Sequence, residues 1–375
     1  MDNWRDSKIE ELCTLHYGKS PKGIDSDDGI YPIYGTGGIV GSTNDYLYDK
    51  PSIILGRKGS IGNIHYVDKP FWTIDTTFYV EAKNCDTKWL YYVFSSLNIE
   101  KLNEATGVPS LSRNNIYAQM LKAPSDQKEQ QKIAEVLSTV DKKIDLIDQK
   151  IAETEKLKTG LMQKLFSEGV GVQDENGEWQ PHADFETVEG SQIPKGWLKT
   201  TLSQVIKVKS GDSLSKKNME EGCIPVFGGN GISGYHSKPN FNSPQLVIGR
   251  VGEYCGAVHI TPEKSWITDN ALLVTETLIN VSFEFLYYLL VSVDLNKYAS
   301  RNAQPLVSGR TLNLVTIKVP QEAEQYEIVN ILSTVDKKLI LLNRQMEETR
   351  RLKKGLMQKL LTGEWRVPVE ETEAA

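Results

Sequence analysis

The chain has few of the residues that bind metals or form disulfides. Its 375 residues include only four cysteines and five histidines. The sequence contains no Cys-x-x-Cys pair and no His-x-x-x-His or His-Glu-x-x-His motif. Because zinc sites use such short spacings, we predict no metal site. The cysteines lie far apart, which favours free thiols in a reducing compartment. They are Cys13, Cys85, Cys223 and Cys255.

Long apolar runs are also absent. No stretch approaches the roughly 20 apolar residues that cross a bilayer. The first residues, MDNWRDSKIEEL, lack the basic and then apolar order of a signal peptide. We therefore expect a cytoplasmic protein that has no membrane partner.

Sequence motifs of DNA-modifying enzymes are missing as well. There is no Asn-Pro-Pro-Tyr-like block of a base methyltransferase, no GxxxxGK[ST] or DEAD-like motif of a DNA motor, and no recognisable nuclease core. Two glycine clusters, at 34–41 and 227–234, resemble nucleotide-binding loops, but polar turn residues follow them instead of a helix. We predict backbone turns there, and neither catalytic residues nor a cofactor in this chain.

The chain also lacks an excess of basic residues. The formal net charge is −6, which is not typical of a nucleic-acid-binding protein. Residues 1–126 carry 13 basic and 16 acidic side chains, whereas residues 191–320 carry 13 and 9. Any charge that faces DNA must therefore be local to a few loops.

What the sequence does contain is an internal repeat. The segment at 137–143 returns unchanged at 332–338, and the segment at 160–165 returns unchanged at 355–360. Between 129–165 and 324–360, 21 of 37 aligned positions are identical. Trp4 and Trp197 also match, as do several glycines. Each half has the order globular domain and then helix, so the chain can fold with approximate two-fold symmetry and present two similar surfaces.

Both helical segments carry a heptad pattern of apolar residues, which is typical of a coiled coil. The positions are Ile133, Leu137, Val140, Ile144, Ile147, Ile151, Leu161 and Leu165 in the first helix, and Ile328, Leu332, Val335, Leu339, Leu342, Met346, Leu356 and Leu360 in the second. Polar residues interrupt both patterns at the same points, with Thr154 matching Thr349 and Lys158 matching Lys353. We predict that the helices pair, preferably antiparallel; the alternative is that each packs on its own globular domain.

The predicted fold class is α+β, with two mixed α/β globular domains joined by two long helices that form an antiparallel coiled coil. The sequence indicates short strands and amphipathic helices in the globular domains, but it does not indicate the order of the strands in their sheets. The predicted segments are globular domain 1–126, helix 127–166, linker 167–193 with a short hairpin at 175–178, globular domain 194–320, helix 321–363 and a frayed tail 364–375.

Paired loops of the two globular domains carry the candidate binding residues. Arg57 and Arg250 each lie on a glycine-flanked turn after a predicted strand, where an arginine can reach a guanine edge or a phosphate. A solvated turn or an internal ion pair is the alternative. Asp75 and Asp269 repeat as isolated acids and are predicted to be structural. The candidates are Lys19, Arg57, Lys58, Ser60, Ser112 and Arg113 in the first domain and Lys209, Lys216, Asn230, Arg250, Ser308 and Arg310 in the second.

Four motifs together resemble a known family. They are Ile193-Pro-Lys-Gly-Trp197, Ile224-Pro-Val-Phe-Gly-Gly-Asn-Gly231, Glu129-Gln-Gln-Lys-Ile-Ala134 and the helix end at 355–365. In this order, and with the repeat, the chain resembles the specificity subunit of type I restriction-modification systems over nearly its whole length.

The resemblance implies a DNA-binding subunit without catalytic activity. Each globular domain would be a target-recognition domain that reads one half of a bipartite, asymmetric site in double-stranded DNA, and the paired helices would set the distance between the half-sites. Two methyltransferase subunits would dock and modify adenine with S-adenosylmethionine, and two motor-nuclease subunits would join for cleavage. The acidic first domain departs from this expectation, so we expect weak DNA binding by the chain alone.

Two other functions stay open at this point. The chain could be a coiled-coil scaffold whose two globular heads bind proteins, which would show no sequence-specific, salt-sensitive DNA binding. It could also be a divergent methyltransferase or nuclease, although the missing motifs argue against an enzyme.

Overall fold

The computed structural model describes residues 3–300 and 304–368. The chain forms two compact units: unit 1 comprises Met1–Gln149 and Asn343–Ala375, and unit 2 comprises Lys150–Leu342. Each long helix has its first part in one unit and its last part in the other, so each unit holds one globular domain and two helix segments. Within the described ranges, no helix combines the length and the apolar content that crossing a membrane requires.

The elements of unit 1 that precede the long helix are short. The strands are β1 Trp4–Lys8, β2 Cys13–Tyr17, β3 Tyr31–Gly35, β4 Gly38–Thr43, β5 Ser52–Gly56, β6 Ile64–Val67, β7 Trp72–Thr73, β8 Thr77–Ala82 and β9 Met120–Pro124. The helices are α1 Ile9–Leu12, α2 Thr87–Ser96 and α3 Arg113–Tyr117.

Two sheets and a strand pair form the globular domain of unit 1. One sheet is antiparallel with the order β2-β8-β5-β6, the second has the order β4-β3-β7 with β3 and β7 parallel, and β1 pairs with β9. The inner strand β5 is buried at every position, which explains its unbroken apolar run. Helix α2 begins where the Asp86 side chain accepts a hydrogen bond from Trp89 N at 2.7 Å. Trp89 and Phe94 of α2 are fully buried in the core.

Unit 2 repeats these elements after the first long helix, α4 Gln127–Ser167. The strands are β10 Val172–Gln173, β11 Trp179–Gln180, β12 Phe185–Val188, β13 Ser191–Pro194, β14 Leu198–Thr201, β15 Ile206–Ser210, β16 Ile224–Gly228, β17 Gly231–His236, β18 Leu246–Gly249, β19 Val258–Ile260, β20 Trp266–Ile267, β21 Ala271–Thr277 and β22 Thr316–Val319. The short helices are α5 Phe283–Ser292 and α6 Gly309–Leu312.

The sheets of unit 2 have the same topology as those of unit 1. Their orders are β15-β21-β18-β19 and β17-β16-β20, with β16 and β20 parallel, and β14 pairs with β22. The two glycine clusters contain the turns of the hairpins β3–β4 and β16–β17, so the predicted backbone turns are present at both places. The polar residues that directly follow the clusters, 42–43 and 235–236, belong to strands β4 and β17 and not to further turns.

The long helices are α4 Gln127–Ser167 and α7 Glu322–Leu360, of 41 and 39 residues. In unit 1, Lys353 Nζ of α7 lies 2.5 Å from Asp141 Oδ1 of α4. Earlier on α4, Glu129 pairs with Arg366, which comes later in the chain than Lys353. The two helix segments of unit 1 therefore run antiparallel.

The helix segments of unit 2 also run antiparallel. Lys158 Nζ of α4 lies 2.6 Å from Asp336 Oδ1 of α7. Just beyond the end of α4, Val170 N donates to Glu324 Oε1 at 2.8 Å, and Glu324 precedes Asp336 on α7. In each unit the helix segments share a core with the globular domain as well as with each other, as Leu165, Ile328 and Leu332 do in unit 2.

None of the sixteen predicted seam residues is exposed. Thr154 and Thr349 are buried, and each hydroxyl donates to the carbonyl four residues earlier, at 2.6 and 2.7 Å. The heptad pattern places Lys158 and Lys353 at core positions, but the structure does not bury them in the core. They lie at the edge of the seam, about a quarter exposed, in the ion pairs described above.

The predicted linker and tail are more ordered than the sequence suggests. The linker holds two antiparallel hairpins, β10–β11 and β12–β13, and the first of them turns at the predicted residues 175–178. In the tail, Arg366 Nε and Nη2 donate to the two carboxylate oxygens of Glu129 at 2.6 and 2.9 Å. The start of the tail is thus held in place and not frayed, and residues 369–375 lie outside the described residues.

Candidate nucleic-acid interface

Four loops of unit 1 meet to form what we call platform 1, residues 17–19, 56–60, 73–77 and 109–113. Backbone hydrogen bonds join the loops in pairs. Leu111 N donates to Arg57 O at 2.9 Å, Arg57 N donates to Thr76 O at 2.9 Å, and Lys19 N donates to Thr73 O at 2.8 Å. The platform therefore gathers residues that are distant in sequence onto one surface.

Unit 2 builds the same arrangement, platform 2, from residues 210–212, 249–253, 267–271 and 305–309. Val307 N donates to Arg250 O at 2.8 Å, and Arg250 N donates to Asn270 O at 2.9 Å. Asp212 N donates to Ile267 O at 2.9 Å. The two platforms thus repeat the loop order and the backbone bonding, although their side chains differ.

Glycine is required where the arginine turns begin. A Cβ atom added to Gly56 would lie 2.2 Å from Ser60 O, and one added to Gly249 would lie 1.9 Å from Gly229 O. Gly59 and Gly252 have φ angles of +80° and +96°, which side chains disfavour. These glycines allow each turn to fold tightly after its strand.

The arginine on each turn is held in the same way. Arg57 Nη1 donates to Asp75 O at 3.1 Å, and Arg250 Nη1 donates to Asp269 O at 3.3 Å. The repeated aspartates therefore contribute a backbone carbonyl to this contact. An arginine has five N–H donors in a planar fork, so most of each fork is left for a ligand.

The surroundings of the two arginines differ at one residue that the sequence analysis missed. In platform 1, the Tyr17 ring centroid lies 5.0 Å from Arg57 Cζ and 4.3 Å from Arg113 Cζ. Tyr17 is 49% exposed, where a cation–π contact contributes about 0.5–1 kcal/mol. In platform 2, Ser210 takes the place of Tyr17, and its Oγ accepts from Arg250 Nη1 at 3.2 Å. The signal that could have revealed Tyr17 is its position next to Gly18, which matches Gly211.

The other candidates of the first domain also lie on platform 1. Lys19, Lys58 and Ser60 are exposed there. Ser112 directly precedes α3 and makes no capping bond through its side chain. Arg113 Nε is buried and has no hydrogen-bond partner among the described residues. The six candidates of the first domain thus lie together on one surface, and their role in DNA binding stays a prediction.

The candidates of the second domain are less closely grouped. Ser308 caps α6, because its Oγ accepts from Thr311 N at 3.1 Å, and Arg310 is exposed in α6. Lys209 lies just before platform 2, with its Nζ 6.0 Å from the Phe241 ring centroid. Asn230 is exposed at the β16–β17 turn. Lys216 begins a short 3₁₀ turn, Lys216–Asn218, outside the platform.

The two platforms carry opposite charge. Platform 1 contains four basic residues and one acidic residue, although its whole domain is acidic. Platform 2 contains one basic residue, Arg250, and three acidic residues, Asp212, Glu253 and Asp269. The expectation of local basic charge therefore holds for platform 1, whereas the lysines of the second domain lie outside platform 2. Among the described residues, no group of three or more His, Cys, Asp or Glu side chains could hold a metal ion.

Comparisons with known proteins agree on one family. The model of the type I restriction modification DNA specificity domain matches residues 1–156 and 194–349. The EcoprrI specificity subunit of Escherichia coli is 32% identical over 143 residues, which is 37% of this chain and 35% of the relative. The MjaVIII specificity subunit of Methanocaldococcus jannaschii is 24% identical, covering 98% of this chain and 94% of the relative.

The fold has a solved counterpart. The crystal structure of a type I restriction-modification S subunit from Mycoplasma genitalium superposes with a TM-score of 0.67 at 21% identity. The superposition covers 96% of each chain. The α+β fold with two recognition-type domains and long helices is therefore shared with a known structure.

Proposed function

The chain belongs to the type I restriction modification DNA specificity family, and we propose that it reads both halves of a bipartite site in double-stranded DNA. It is a specificity subunit and not a catalytic one. The observation that carries the proposal is the repeated platform. Both units hold an arginine on a glycine turn, anchored to an aspartate carbonyl, in the same backbone frame. Two such surfaces with different side chains suit two different half-sites.

The chemistry of each platform fits base reading. In the major groove, guanine offers O6 and N7 to the fork of an arginine, and such a pair contributes about 1–3 kcal/mol of discrimination. Arg57 and Arg250 keep free N–H groups after their carbonyl contact. Exposed Lys19 and Lys58 suit phosphate contacts, which position a protein on DNA without reading sequence.

We further propose that the paired helices set the distance between the half-sites. Helices of about 40 residues span roughly 60 Å at 1.5 Å per residue. Dimeric DNA-binding proteins place their half-sites about one helical turn apart, so that both readers meet one face of the duplex. Helix length and register would then determine the spacer, with base-reading loops determining the half-sites.

The partners are proposed from the family. Two methyltransferase subunits would dock through the helices and domains and would supply S-adenosylmethionine and adenine methylation, and two motor-nuclease subunits would join for cleavage. A cytoplasmic complex is proposed because DNA is the substrate, and the few, widely spaced cysteines suit a reducing compartment. We expect weak binding by this chain alone, since unit 1 is acidic outside its platform, and much tighter binding with the methyltransferase. Equal affinities in titrations of labelled DNA would contradict this.

The test is to co-express the chain with the methyltransferase encoded beside it and to map methylated adenines by single-molecule sequencing. A bipartite motif with an unspecified spacer of constant length is the expected result, and exchange of residues 1–126 for the same domain of a relative should change one half-site. A folded, associated complex that methylates no DNA would favour a protein-binding scaffold instead.

A further inference from the structure

We propose that Tyr17 is a positioning residue for specificity in unit 1, because its ring joins Arg57 and Arg113 into one element that reads two guanines. In unit 2, Ser210 takes the place of Tyr17, so Arg250 has no second arginine joined to it and reads one guanine in the other half-site. This inference rests on the proposed function and deepens it, since it names which residues make the two half-sites different.

The geometry around Tyr17 supports a shared element. Both guanidinium carbons lie within 5.0 Å of one ring centroid, so they are less than about 10 Å apart, within three base-pair steps of ~3.4 Å. The ring itself rests against Phe78, with centroids 5.1 Å apart. Phe78 is buried in the core, so the ring is supported from below while half of it remains exposed.

The two arginines depend on Tyr17 to different degrees. Arg57 is also held by its hydrogen bond to Asp75 O. Arg113 has a buried Nε without a partner among the described residues, and its contact with the Tyr17 ring is the shorter of the two. Loss of the ring should therefore release Arg113 and leave Arg57 near its position.

Platform 2 lacks this element. Ser210 Oγ and Asp269 O both accept from Arg250 Nη1, so Arg250 is held without a ring. Arg310 is exposed in α6, and no contact joins it to Arg250 or Ser210 in the described part of the chain. A single anchored arginine is the arrangement expected to read a single guanine.

The experiment uses the complex with its methyltransferase and a plasmid library in which both half-sites are randomised. For wild type, we expect half-site 1 to contain two guanines, on either strand, within three steps, each preferred roughly ten- to hundredfold. Tyr17→Ser should lose the preference at one of these positions and keep the other, with half-site 2 unchanged. Tyr17→Phe restores the ring and should restore both preferences.

A matched control is Tyr46→Ser, because Tyr46 is about as exposed as Tyr17 and contacts the Tyr31 ring but no arginine among the described residues. It should leave the motif unchanged. The inference is overturned if Tyr17→Ser keeps both preferences, if Tyr17→Phe loses the same preference as Tyr17→Ser, or if Tyr17→Ser weakens both half-sites equally. Absence of any bipartite motif in wild type would instead refute the proposed function.

Discussion

At the residue scale, Arg57 and its neighbour Lys58 offer a matched test of base reading against phosphate contact. Arg57→Ala should relax the preference at one position of half-site 1, at about 1–3 kcal/mol, because an anchored fork is lost. Lys58→Ala should weaken binding to all sequences alike and lower the slope of log affinity against log salt concentration by about one, since Lys58 is exposed. Binding titrations at several salt concentrations measure both effects. A uniform loss for Arg57→Ala would make it a phosphate contact.

Two buried thiols give a pH-dependent prediction. Burial raises the pKa of Cys13 and Cys85 to about 12, whereas thiols of an unfolded chain titrate near 8.5. Their contribution to stability is therefore complete below pH ~8.5 and is lost as the pH rises, because the unfolded state binds fewer protons than the folded state. The slope is at most about 1.4 kcal/mol per pH unit for each thiol.

Denaturant titrations between pH ~8 and pH ~9.3 measure this slope, because these values lie below the ordinary tyrosine pKa of about 10. Replacing both Cys13 and Cys85 by alanine should lower stability at the lower end of this range but flatten the decrease toward its upper end. Cys223→Ala is the control, because Cys223 is exposed, and it should leave the slope as in wild type. An unchanged slope in the double variant would contradict the assignment to these thiols.

At the element scale, a repeated contact joins each globular domain to both long helices. In unit 1, Asp141 accepts from Tyr92 Oη of α2 at 2.8 Å and pairs with Lys353 of α7. In unit 2, Asp336 accepts from Tyr288 Oη of α5 at 2.7 Å and pairs with Lys158 of α4. Burial and the hydrogen bond to aspartate raise the pKa of both tyrosines, so their hydroxyls stay protonated as donors. Both aspartates lie in the segment that repeats unchanged at 137–143 and 332–338.

Asp141→Asn should destabilise the protein by about 1–3 kcal/mol, because it leaves Lys353 half-buried without its counter-charge. Asp148→Asn changes an exposed carboxylate of the same helix and should stay within about 0.5 kcal/mol of wild type. Urea titrations give both values. Similar losses for the two variants would show that the Tyr92–Asp141–Lys353 contact contributes nothing of its own.

The elements that sequence predicts best are those with a long periodic pattern. The first long helix begins at the predicted residue and ends one residue later, since forty residues of heptad pattern outweigh local ambiguity. The hairpins of the linker were missed apart from one turn, because strands of two to four residues carry no usable period. Tyr17 was missed for another reason: its partners are 40 and 96 residues away and meet it only in the folded domain.

At the scale of the whole molecule, the two halves share the backbone arrangement of their platforms, but the platforms carry charges of opposite sign. Platform 1 is basic in an acidic domain, and platform 2 is acidic in a basic domain. The repeated backbone bonds keep both loops in place, while the side chains on them are free to differ. Composition alone could not reveal this, because the charge of a domain averages over faces that do not meet the ligand.

The proposed role of the helices as a spacer leads to a prediction about the complete chain. The boundary between the two units falls in both helices, after Gln149 and after Leu342. Seven residues inserted at both places would add two turns to each helix and keep the heptad face. The added length of ~10 Å corresponds to about three base pairs.

We therefore expect the double insertion to lengthen the unspecified spacer of the methylated motif by about three base pairs and to leave both half-sites unchanged. The control inserts seven residues after Asn176, in the exposed turn between β10 and β11, which changes chain length without changing either helix. Its spacer should equal that of wild type. Single-molecule sequencing of methylated DNA measures both. If the double insertion gave the wild-type spacer from a folded complex, distance would be set by the partner subunits, and the helices would only hold the recognition domains together.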